Sequence, residues 1–182
     1  VERGQNDLRV AWGLQNKFVV GYSGNFGRAH EFETILSSAE LLREEKHIAF
    51  LFIGAGAQLE WMKREVEKRH LDNVDFKPYQ PRDRLAVSLS VPDIHVISLQ
   101  PALEGLIVPS KFYGIAAAGR PMLYIGDRNG EIPRLLRSAQ CGFAVEIKQA
   151  EQGASIIRDV AQDENACRSL GQRARTLFDQ RF

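Results

Sequence analysis

The stretch "DIHVISLQPALEGLIVPSKFYGIAAAGRPMLYIG", Asp93 to Gly126, joins two short apolar runs through a loop and a helix-patterned segment. Short apolar runs bounded by turn formers read as buried strands, and "DIHVISL" (93–99) and "PMLYIG" (121–126) both qualify. Between them, 109–118 reads as a helix, and Pro109 suits its first turn because the missing N–H has no helical partner there anyway. Strand, crossover helix and strand in this order imply two parallel strands with the helix packed on one face. The run Gly114 to Gly119 is almost all small, which lets that helix lie close to the sheet.

The alternation continues outward on both sides. "FVVGYS" (18–23), "IAFLFIG" (48–54), "VDFKPY" (74–79) and "CGFAVEI" (141–147) read as further strands. Helices are expected over 30–45, 57–70, 81–90, 130–138 and 151–161. A closing helix over 163–180 carries Leu170, Ala174, Leu177 and Phe178 as its apolar stripe, and a linker or helix over 1–16 leads in. The fold class expected is α/β, a Rossmann-like doubly wound parallel sheet of about six strands, whose commonest order is 3-2-1-4-5-6. A length of 182 residues suits one domain or one large lobe of that kind.

A net charge of +1 leaves no electrostatic footprint for nucleic acid, so no such partner is expected. Cys141 and Cys167 lack metal-ligand spacing and read as free thiols of a reducing compartment. No signal peptide is visible and the longest apolar runs are about half a membrane span, so a cytoplasmic location is expected. The chain starts at Val1, so a missing leader says little about a longer parent.

In an open α/β sheet, ligands bind beyond the carboxyl ends of the strands where the strand order reverses. The order 3-2-1-4-5-6 puts that crevice between strands one and four, and so singles out the loops Ser23–His30 and Leu99–Ser110. In the first loop, Gly24 and Gly27 offer backbone N–H groups suited to a phosphate, with Arg28 adding a charge-assisted contact. The alternative is a tight turn with a solvated arginine. In the second loop, Glu104 projects into the crevice, Gly105 to Val108 offer N–H groups, and Ser110 offers a hydroxyl. Lys111 in a first helical turn opposes the helix dipole, a penalty that a bound anion removes; otherwise it snorkels to solvent. "FIGAGAQLE" holds Gly54-x-Gly56 without the third glycine of a dinucleotide fingerprint, and it follows the second strand instead of the first. His95 reads as a hydrogen-bonded core residue, and His30 is the one histidine near the crevice.

Together, "GYSGNFGRAHEFETIL", "FLFIGAGAQLEWMK", "VDFKPYQPRDRL", the opening stretch and "CGFAVE" resemble the C-terminal, nucleotide-sugar-binding half of a family 4 retaining glycosyltransferase of the GT-B fold. The nearest subgroup is that of bacterial O-antigen and capsule amino-deoxysugar transferases. The resemblance implies one GT-B lobe that binds a nucleotide-diphospho-sugar, a UDP-sugar, and works with an N-terminal lobe of the same polypeptide. It implies no metal and no cofactor. It makes Glu104, Lys111 and Arg28 the catalytic set, with Glu104 meeting donor-sugar hydroxyls and Lys111 near the diphosphate. The substrate-binding set it implies is Gly24, Asn25, Gly27, Tyr79 at the nucleobase, the Gly105, Leu106, Ile107 and Val108 backbone, Pro109, Ser110, Tyr113 and Gly114.

The chain departs from the family's E-x7-E pattern, since Phe112 or Gly114 stands where the second glutamate belongs. Asn25 and His30 stand where the family carries arginine and lysine. The resemblance also implies transfer to a polysaccharide or lipid-linked acceptor, peripheral membrane association through the missing lobe, and a closing helix packed partly on that lobe. The rivals are a sugar-nucleotide epimerase lobe, which needs carboxylates and histidines clustered in the crevice, and a non-catalytic nucleotide-binding domain.

Overall fold

The computed structural model describes residues 3–182, so the first two positions of the expected lead-in segment lie outside the described residues. The strands are β1 (Phe18–Asn25), β2 (Ile48–Ala55), β3 (Val74–Lys77), β4 (Ile94–Ser98), β5 (Met122–Ile125) and β6 (Gly142–Val145). The helices are α1 (Asp7–Ala11), α2 (Glu33–Leu41), α3 (Leu59–Lys68), α4 (Leu85–Leu89), α5 (Lys111–Ala117), α6 (Glu131–Ala139), α7 (Ala150–Gln162) and α8 (Glu164–Arg181). All six strands run parallel, as the alternation predicts, and their order β3-β2-β1-β4-β5-β6 is the commonest one for such a sheet. A parallel sheet needs cover on both faces. On one face Val20, Tyr22, Phe50, Phe52 and Val96 pack with Ile35 and Leu36 of α2 and Ile157 of α7. On the other, Ile97, Met122 and Tyr124 meet Phe112 and Ile115 of α5 and Ala174 and Leu177 of α8.

Several bounds shift for stated reasons. Strand β3 stops at Lys77 because Pro78 offers no N–H to the ladder. Helix α2 starts at Glu33, not 30, because Phe32 is drawn into the core and the Glu31 carboxylate caps Thr34 N–H at 3.0 Å. In α8, Leu177 is buried inside this lobe, in the cluster that also holds Phe112 and Ile115, so that part of its stripe is not a surface for another lobe. Among the described residues, no helix is long and apolar enough to cross a membrane.

The register is uneven in a way that matters. Strand β1 pairs with β2 along its whole length, Phe18↔Ile48 to Asn25↔Ala55, but with β4 only at Val20↔Ile94 and Gly21↔His95. Beyond Gly21 the two strands part, and the gap between their carboxyl ends is the crevice that the strand order requires.

Candidate functional site

The first wall of the crevice is the loop after β1. Phe26 is fully buried among Tyr22, Phe32 and Phe52. Gln58 fixes the loop from below: its amide donates to Gly27 O (2.7 Å) and His30 O (2.9 Å). The Gly54-x-Gly56 segment belongs to this support. A Cβ on Gly54 would stand 2.0 Å from Gly24 O, and one on Gly56 would stand 2.5 Å from Asn25 Oδ1. Those glycines let β1 and β2 close together, so the partial dinucleotide fingerprint has a packing cause. Gly24 and Gly27 do not open a helix, since α2 begins only at Glu33. Arg28 is exposed and forms no ion pair among the described residues.

From the opposite side comes Lys111, the first residue of α5, after buried Pro109 and exposed Ser110. Its Nζ stands 3.6 Å from the centroid of the Tyr22 ring, and a Cβ on Gly24 would lie 3.3 Å from it. The ammonium is shielded from water yet has no hydrogen-bond acceptor, and burial pushes its pKa down to about 7. Burial, and then the Lys111 charge, also lower the pKa of His30, whose Nδ1 sits 2.6 Å from Ser98 O. The Ser23 and Ser98 hydroxyls, at the carboxyl ends of β1 and β4, are likewise buried and unpaired. Buried polar groups are ordinarily hydrogen-bonded. A buried cation without an acceptor, beside Gly24 where two strands part, is suited to an anion.

Glu104 forms the second wall. It follows the 3₁₀ turn Pro101–Leu103, and its carboxylate, expected to project between β1 and β4, turns instead to the β5 side, toward Tyr124 and the start of α6. Oε2 accepts from the Tyr124 hydroxyl at 2.8 Å, and Oε1 accepts from Glu131 N–H at 3.0 Å. Of the loop N–H groups expected to hold a ligand, those of Leu106 and Ile107 donate to Leu103 O at 3.1 Å each, whereas Gly105 and Val108 donate to no protein acceptor among the described residues. Leu106, Ile107 and Val108 expose apolar side chains along the rim.

The remaining residues sit farther out. Tyr79 is exposed just past β3, on the carboxyl side of the sheet. Tyr113 lies about 200° round the helix from Lys111 and packs edge-to-face on Phe182 at 4.8 Å. Gly114 faces Leu89, 3.3 Å from where its Cβ would be, so its smallness serves helix packing. Sequence reasoning passed over Tyr22, Tyr124, Gly130 and Gln58. The two tyrosines lie inside apolar strand runs and read as core.

An epimerase needs carboxylates and histidines clustered in the crevice, and Glu31, next to His30, is spent capping α2. Among the described residues, no group of three His, Cys, Asp or Glu side chains is placed to hold a metal ion. Surface depressions of about 220 Å³ lie under α6 beside Phe143 and at the amino ends of β1 to β3, and neither includes Gly24, Glu104 or Lys111.

Residues 5–177 match the family model described as "Glycosyl transferases group 1". WbjE of Pseudomonas aeruginosa, named a probable glycosyltransferase, is 28% identical over 168 residues, covering 92% of this chain and 41% of its own length. WcaI of Escherichia coli (strain K12), whose name assigns it to colanic acid biosynthesis as a glycosyl transferase, is 29% identical over 147 residues, covering 81% of this chain and 35% of its own. The chain therefore spans about two fifths of the curated relatives it matches. Among solved structures, Anabaena Alr3699/HepE in complex with UDP-glucose superposes with a TM-score of 0.82 at 16% identity, over 97% of this chain and 48% of that one, which establishes a shared fold. With the family model matching nearly the whole length, the chain belongs to the glycosyl transferases group 1 family.

Proposed function

We propose that this chain is the donor-binding, C-terminal lobe of a family 4 retaining glycosyltransferase that takes a sugar from a UDP-sugar. Its acceptor is a polysaccharide or lipid-linked glycan, met by an N-terminal lobe of the same polypeptide. The observation that carries the reading is Lys111 Nζ, buried without an acceptor beside Gly24 where β1 and β4 part. A diphosphate there supplies the acceptor it lacks, and Lys111 with Arg28 then stabilises the charge that develops on the departing nucleotide. Glu104 accepts hydroxyls of the donor sugar from the other wall, and Tyr79 stacks on the nucleobase. The names of WbjE and WcaI, and the UDP-glucose bound by HepE, point the same way. The reading assigns no metal and no cofactor, which assays of the longer protein in EDTA check. It places the enzyme in the cytoplasm, with peripheral membrane association through the other lobe.

Calorimetric titration with UDP, GDP and ADP tests the site. UDP is expected to bind best, and Lys111→Ala to weaken it about tenfold or more, the worth of a charge-assisted contact. If UDP binds equally well without Lys111, the diphosphate is elsewhere. If no nucleotide binds this chain or a longer protein containing it at millimolar concentration, the donor reading fails.

A further inference from the structure

Helix α6 has no cap of its own. Its N-cap is Gly130, which has no side chain to accept the first free N–H groups of the helix. At φ −64° and ψ 175° the backbone there is ordinary extended chain, so conformation does not call for glycine. Ser, Asp, Asn or Thr is the usual choice at such a position. What does call for glycine is Glu104. A Cβ at 130 would stand 2.4 Å from Glu104 Cδ and Oε1 and 2.6 Å from Oε2, all three atoms belonging to that one carboxylate. The carboxylate thus occupies the place of the missing cap, accepting Glu131 N–H at 3.0 Å from 27 residues away. Tyr124 holds its second oxygen at 2.8 Å. Burial, then the hydrogen bond to Glu104 and its charge, push the Tyr124 pKa up, so the phenol stays a donor.

We infer that Gly130 and Tyr124 are positioning residues for Glu104: the space at Gly130 and the Tyr124 hydroxyl fix its carboxylate at the crevice wall, so that it caps α6 and accepts donor-sugar hydroxyls at once. A carboxylate has roughly four lone-pair positions, of which two are taken here, leaving about two for a sugar. A group held by a helix terminus and a phenol needs no reordering when the sugar arrives, which is where preorganised contacts gain over flexible ones. This inference rests on the proposed role of Glu104 in donor binding.

The test compares affinities for UDP, UDP-glucose and UDP-N-acetylglucosamine in the unaltered chain and in Glu104→Ala, Gly130→Ser and Tyr124→Phe. Serine at 130 supplies its own cap hydroxyl, so α6 keeps its melting temperature while the Glu104 carboxylate is displaced. The unaltered chain is expected to bind one UDP-sugar more tightly than UDP. Gly130→Ser should cut that preference roughly tenfold, as Glu104→Ala does, and Tyr124→Phe by a smaller factor, with UDP affinity unchanged in all three. A purely structural role for Gly130 would move stability and leave the sugar-to-UDP ratio alone. If Glu104→Ala abolishes the preference and Gly130→Ser keeps it, the positioning inference is overturned. If the unaltered chain prefers neither UDP-sugar, or Glu104→Ala leaves a preference intact, the donor role of Glu104 itself fails and the inference with it.

Discussion

With its Nζ 3.6 Å above the Tyr22 ring and no acceptor in reach, Lys111 is held by a ring face alone, and burial brings its pKa from the ordinary 10.5 to about 7. The titratable groups that face it are Tyr22, His30 and, deeper in the sheet, His95. Between about pH 7 and 10.5 the unfolded chain holds a proton on this lysine that the folded chain has released, so its contribution to stability rises with pH across that window. Below about pH 7 both states are protonated, and the folded state bears the buried charge in full. Thermal unfolding of ligand-free protein should therefore show wild type losing stability relative to Lys111→Met as pH falls from 9.5 to 6.5. Bound diphosphate reverses the preference, because it favours the ammonium. UDP affinity should fall as pH rises above about 7, with net proton uptake on binding measured by calorimetry in two buffers of different ionisation enthalpy. A pH-independent difference between wild type and Lys111→Met would place the ammonium in water. Lys111 and Glu104 were legible as candidate site residues because a lysine in a first helical turn and a carboxylate after a strand are local anomalies. Their partners were not, because Tyr22 and Gly130 are remote in the chain and carry no local signal of their role.

At the scale of elements, the strand and helix runs were legible because apolar period and turn residues are local properties. The Gly54-x-Gly56 segment shows where such reading stops: the same glycines that resemble a phosphate loop serve the meeting of two strand ends. Gly54 pairs in register with Gly24, at φ +146°, a conformation that other residues rarely adopt. Alanine there adds a clash at 2.0 Å from a carbonyl that the β1–β2 ladder cannot move cheaply. Gly54→Ala should cost about 2 kcal/mol or more in urea denaturation. It should also weaken UDP binding, because Gly24 and the loop behind it shift with the strand end. A binding site on the β2 loop itself would instead lose its ligand with stability intact, and that outcome would restore the dinucleotide reading. The late start of α2 was illegible for a related reason: Phe32 and Glu31 are withdrawn from the helix by a core contact and a cap that only the folded chain supplies.

At the scale of the whole molecule, the ladder between β1 and β4 is confined to their amino ends, and past it the two sides meet through His30 Nδ1 with Ser98 O and Gln100 N–H with Ala29 O. The order 3-2-1-4-5-6 was expected only as the commonest for six such strands, and what locks the closed end was not expected at all, since no sequence rule pairs Arg9 with Asp93. Asp93 exchanges bonds with β1, donating its N–H to Val19 O and accepting Val19 N–H on Oδ2, both at 2.8 Å. Arg9 of α1, 1% exposed, reaches the same carboxylate at 3.2 Å and donates to Val91 O and Leu14 O at 2.7 and 3.1 Å. The buried pair Arg9–Asp93, with Arg3 farther off at 3.9 Å from the same carboxylate, thus ties the lead-in helix, β1 and β4 together. Removing one partner of such a pair leaves an uncompensated buried charge, which typically costs about 3–5 kcal/mol, whereas replacing both is far milder. Asp93→Ala and Arg9→Met should each lower stability by about that much, and the double variant by clearly less than the sum. Because the pair lies at the far end of β1 and β4 from Gly24 and Lys111, UDP affinity measured well below each variant's melting temperature should stay within about twofold of wild type. Additive losses would mean that the pair is not buried in solution. A large loss of UDP affinity in a folded Asp93→Ala would mean that the closed end sets the width of the crevice, so that the lead-in helix controls donor binding from the opposite edge of the sheet.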